Sequence, residues 1–130
     1  MKKIETIFLS AVFIAVLTAS ISSCSKKNEN AAPVVVIDEP TEGAMTMLPD
    51  STHLEGTASD DEELHELSVI VKNHLGVTVF AQYPTVHALS SYNFHYHFAT
   101  SDTGMYHLHI TAADHDGGLT SKEVMFHVMQ

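Results

Sequence analysis

From residue 104 onward apolar and polar side chains alternate with a period of two. Tyr106, Leu108, Ile110 and Ala112 fall on one face and His107, His109, Thr111 and Ala113 on the other, as in a strand with one buried and one wet side. The same period predicts further strands. Leu54, Gly56 and Ala58 alternate with His53, Glu55 and Thr57; Leu67, Val69 and Val71 with Ser68, Ile70 and Lys72; Tyr92, Phe94, Tyr96 and Phe98 with Asn93, His95 and His97; and Val124, Phe126 and Val128 with Met125, His127 and Met129. A first strand is expected over Pro33–Ile37 and another over Val77–Tyr83, whereas 40–49, rich in breakers, reads as turn and edge. Asp60–Glu63 reads as an acidic loop, Asn73–Gly76 and Asp114–Gly118 read as turns, and 84–90 has no clear pattern.

Seven short strands with no helical period beyond residue 23 predict an all-β fold, an antiparallel sandwich. Asp102, Gly104 and Tyr106 have the spacing of the tyrosine corner found in immunoglobulin-like sandwiches, where the Tyr hydroxyl bonds back to nearby backbone. Leu108 stands where such domains often carry a Cys, and the chain has no Trp, so packing rather than a disulfide is expected to hold the two layers.

The chain's first part belongs outside this fold. Lys2 and Lys3 precede an apolar run from Ile7 to Leu17, the layout of an export signal and short of the about 20 residues that span a bilayer. Ile21-Ser22-Ser23-Cys24 resembles a bacterial lipoprotein processing box, with Cys24 as the acylated N-terminus. The expected organisation is a signal peptide over 1–23, a polar linker over 24–32 and a sandwich over 33–130. The expected location is the cell envelope, lipid-anchored at the outer membrane, with periplasmic and surface-facing placements both open.

Charge narrows the partners. Six Lys or Arg face 16 acidic side chains, a net charge of −10, which repels phosphate backbones and argues against nucleic acid. Cations suit this surface; the other partners expected are the membrane, through the N-terminal lipid, and an envelope protein. The single Cys excludes an internal disulfide and a Cys-based zinc site.

Two constellations follow from sandwich topology. Asp60, Asp61, Glu62, Asp114 and Asp116 are expected at one end, as calcium ligands or simply as turn formers. At the other end His53, His95 and His97, with Glu55 beside them, are expected on the outer face of one layer. His107, His109 and His127, flanked by Met105, Met125 and Met129, are expected on the outer face of the other. Imidazoles two apart on one strand face are roughly 6.6 Å apart at the backbone, close enough to converge on one ion. Imidazole suits zinc and copper, and thioether adds a preference for Cu(I). No nucleophile elbow, phosphate loop or helix-borne metalloprotease motif occurs, so neither an enzyme nor an organic cofactor is expected.

His53-Leu-Glu55, Phe94-His-Tyr-His97 and Tyr106-His-Leu-His109, running into Ala113-Asp114 and Gly117, resemble the lipoprotein domain-of-unknown-function 4625 family, small exported proteins of Gram-negative bacteria. The chain is also similar to cadherin-like and polycystic-kidney-disease-type sandwiches. The resemblance implies an immunoglobulin-like fold and lipoprotein status, and it implies no activity. The sequence therefore supports a lipid-anchored, non-enzymatic binding domain holding zinc or copper on its His pairs. The alternative is a structural or adhesive module, with or without calcium.

Overall fold

The computed structural model describes residues 30–130; the signal segment, Cys24 and most of the tether lie outside the described residues. Seven strands follow one another: β1 (Val34–Glu39), β2 (Ala44–Met47), β3 (Thr52–Asn73), β4 (Thr78–Gln82), β5 (Leu89–Phe98), β6 (Gly104–Asp114) and β7 (Leu119–Met129). All pairings are antiparallel except that of β2 with β7.

The 22 residues of β3 join the two layers. Its first half pairs with β1 and β5, and its second half pairs with β4 and β6. β6 continues to β7, and β7 to β2. The inward positions explain the crossing: Leu54, Ala58 and Leu64 are buried at even numbers, Leu67, Val69 and Val71 at odd ones. A change of phase in a period-two strand needs an extra residue, a bulge. That residue is His65, since Leu64 faces Asp114 and Glu66 already faces Ala113. The acidic stretch Asp60–Glu63, expected as a loop, is therefore part of the bent strand that passes between layers.

Two other stretches differ from expectation. Residues 40–49 hold β2, which runs parallel to β7 from Ala44 opposite Phe126 to Met47 opposite Met129. Segment 84–90 buries Val86 in the core and closes a turn through Leu89 N–H donating to the Val86 carbonyl at 3.0 Å. The turn after β3 is as expected: Asn73 Oδ1 accepts from Leu75 N–H and Val77 N–H, each at 3.0 Å.

The core is the sum of the inward faces. Val35, Leu54, Val69, Val71, Phe94, Leu108, Ile110 and Phe126 are buried. Phe98 sits edge-on to Tyr106 and Phe126, with ring centroids 5.2 and 6.0 Å away, a geometry that adds about 0.5–1.5 kcal/mol per pair beyond burial. The tyrosine corner is formed: the Tyr106 hydroxyl donates to the Asp102 carbonyl at 2.8 Å. Gly56 lets β1 and β5 close on β3, for a side chain there would run into the Val36 carbonyl and lie 2.5 Å from the Phe94 ring.

Candidate metal centre

The pairing of β3 with β5 sets His53 opposite His97 and Glu55 opposite His95. All four side chains are on the outward phase of their strands, so two adjacent cross-strand pairs share one wet face. Each of the three imidazoles offers a ring nitrogen, and these donor atoms lie within 4.8 Å of one another. His95 Nε2 and His97 Nε2 are 3.2 Å apart. Two nitrogens on one tetrahedral zinc, each at about 2.05 Å, are about 3.3 Å apart, so this pair is spaced for an ion with little rearrangement.

Glu55 orients the set. Its Oε1 accepts from His53 Nδ1 at 3.2 Å and lies 2.8 Å from His95 Nδ1 in an ion-pair contact. A neutral imidazole that donates from Nδ1 keeps its lone pair on Nε2, the tautomer a metal requires. Glu39 on β1 extends the group, with its Oε2 4.0 Å from His53 Nδ1. The site is open: the His53 and His95 side chains are 47% and 58% exposed.

The expected second patch does not close in the same way. His107 Nδ1 and His109 Nδ1 both approach Glu123, at 2.6 and 3.3 Å, and their rings stack 6.2 Å apart. His127 stands opposite Met105 on one side and Met45 on the other. It joins no set of three His, Asp or Glu donors within 4.8 Å among the described residues.

The expected calcium set is divided between the bend of β3, which carries Asp60, Asp61 and Glu62, and the β6–β7 turn, which carries Asp114 and Asp116. Asp114 is buried, one of its oxygens accepting from Asp116 N–H and Gly118 N–H at 2.8 Å each and the other from the Asn30 amide at 3.3 Å. Asp60 Oδ1 accepts from Glu62 N–H at 2.9 Å. With Asp61 and Glu62 exposed, and Asp116 engaged by Asn30 at 3.2 Å, the five carboxylates form no three-donor group within 4.8 Å among the described residues. Sequence reasoning missed another group at this same end, Glu63, His87 and His115, whose donor atoms do close within 4.8 Å. These residues come from a strand bend, a loop and a turn, where no periodic signal exists to connect them.

The architecture is an immunoglobulin-like β-sandwich. The chain is similar to the fibronectin(III)-like modules of Clostridium thermocellum CbhA, at 14% identity and a TM-score of 0.50, over 74% of this chain and 96% of that one. It is also similar to an engineered protein, at 17% identity and a TM-score of 0.53, over 74% of this chain; the match spans 20% of that protein. No family model matches the chain, and no curated protein matches it.

Proposed function

We propose that this chain is a non-enzymatic binding module of the cell envelope that holds zinc or copper on His53, His95 and His97. The observation that carries the reading is the convergence of three ring nitrogens within 4.8 Å, with Glu55 behind two of the rings. The centre stands on a solvent-open sheet face, and a cavity of about 470 Å³ lies elsewhere, walled by His65, Val86 and Leu119; an exposed site of this kind suits binding better than chemistry that depends on excluding water. Lipid anchoring through Cys24 and kinship with the lipoprotein family named above belong to the same proposal.

Calorimetric titration of the chain with zinc and with Cu(II) tests it. The wild type is expected to bind, and a His95→Ala, His97→Ala variant to lose that site. Affinity should fall as the solution is acidified, because protons compete for imidazole lone pairs. Binding weaker than about 10 μM for both metals, a modest affinity on the free-energy scale, overturns the reading. One observation favours a second one, an adhesive module without a transition metal: edge strand β4 exposes Val79, with Leu75, Val77 and Tyr83 exposed beside it.

A further inference from the structure

We propose a second transition-metal site at the opposite end of the sandwich, formed by Glu63, His87 and His115. It stands independently of the first. Antiparallel pairing separates the two: His53 faces His97 at the start of β3, whereas Leu64 faces both Leu89 and Asp114 where β3 bends. Glu63 and His65 flank that bend, His87 comes from the β4–β5 connection and His115 from the β6–β7 turn.

Each ligand is delivered by a local constraint. Val86 is buried and its carbonyl closes the turn to Leu89, which turns the neighbouring His87 outward. Ala88 holds a φ of +67°, a conformation uncommon outside glycine and of the kind that collects at binding sites. His115 follows Asp114, whose carboxylate accepts from Asp116 N–H and Gly118 N–H and so shapes the turn that carries it. His65 is the extra residue of the β3 bulge, a device that re-aims side chains. Its ring centroid lies 4.3 Å from that of His115 and 5.8 Å from that of His87, and the His87 and His115 rings are 4.8 Å apart.

Three imidazoles from separate segments therefore crowd one place beside a carboxylate. Glu63, His87 and His115 have donor atoms within 4.8 Å of one another and are all exposed, so their side chains are free to turn toward the about 3.3 Å spacing of ligands on a tetrahedral ion. Two imidazoles and a carboxylate form a set that zinc accepts with a position left over. Glu62, Glu66 and Asp116 add negative charge at this end, which raises the local concentration of cations. A cavity of about 470 Å³ opens alongside, with His65 and His87 in its wall together with Tyr83, Val86 and Leu119. The open position makes the ion accessible to a small donor ligand in that cavity.

The experiment counts zinc bound to the full chain by equilibrium dialysis, for the wild type, a His53→Ala, His95→Ala, His97→Ala variant, and a His87→Ala, His115→Ala variant. The wild type is expected to hold two equivalents and each variant one. In the His87, His115 variant the remaining equivalent also certifies an intact fold. Retention of the full wild-type complement by that variant overturns the second site. Failure of the first site reads differently: the triple variant then keeps everything the wild type binds.

Discussion

Glu55 Oε1 lies 2.8 Å from His95 Nδ1, and the same oxygen accepts a hydrogen bond from His53 Nδ1 at 3.2 Å. One carboxylate thereby sets two rings, and its removal should loosen the metal without touching a ligand. Glu55→Gln is expected to lower zinc affinity about 10–100-fold, the usual effect of losing such a partner, while leaving the stoichiometry at this centre unchanged. Calorimetry reads both quantities, and an undiminished affinity would show that Glu55 plays no orienting part.

The patch on the other layer gives the contrasting case. Glu123 accepts from His107 Nδ1 at 2.6 Å and lies 3.3 Å from His109 Nδ1, and His127 joins no three-donor group within 4.8 Å among the described residues. A His107→Ala, His109→Ala variant should keep the zinc stoichiometry of the wild type, and loss of an equivalent would place a centre on β6 after all.

Tyr106→Phe deletes the hydroxyl that donates to the Asp102 carbonyl. The domain should lose about 0.5–1.5 kcal/mol, measured as an earlier denaturation midpoint at constant slope.

Gly56→Ala should cost more, about 1–3 kcal/mol as overpacking, because the added methyl meets the Val36 carbonyl and the Phe94 ring. Phe94 is nearly fully buried and has little room to retreat. A variant as stable as the wild type would show that β1 and β5 yield at this point.

Burial first, and then the neighbouring Tyr92 hydroxyl, push the Tyr96 phenol from 10.0 up to about 12. Folding thus favours the neutral phenol. Its contribution to stability is whole below pH 10.0 and is lost as pH climbs through about 12. Ultraviolet titration of a Tyr92→Phe variant should find the Tyr96 transition lowered only part of the way, since burial is the larger cause and remains.

The His53, His95 and His97 geometry was legible because three facts were enough: period two placed all three outward, sandwich topology paired their strands, and antiparallel pairing put the start of one against the end of the other. The tyrosine corner was legible from a three-residue spacing. What escaped had no period to betray it. The run Asp60–Glu63 is polar enough for a loop, yet it is carried through as strand because β3 must bend between layers, and the bulge at His65 absorbs the change of phase. β2 is four residues set between Pro40 and Pro49, and a parallel partner at the far end of the chain leaves no hairpin signal. Glu63, His87 and His115 belong to segments between alternating runs, so that only the folded chain brings them together.

The Asn30 amide donates to both Asp114 and Asp116, and Thr120 Oγ1 donates to the Pro33 carbonyl at 2.5 Å. These bonds pin the start of the domain to the end that carries Glu63, His87 and His115. From Cys24 to Asn30 an extended chain reaches at most about 20 Å. If Cys24 is lipidated as proposed, the domain would stand on a short tether. The cavity end would stay within reach of lipid headgroups, and the His53 end would be held roughly 30 Å higher, the length of a ten-residue strand, at the tip first met by whatever approaches from the aqueous side.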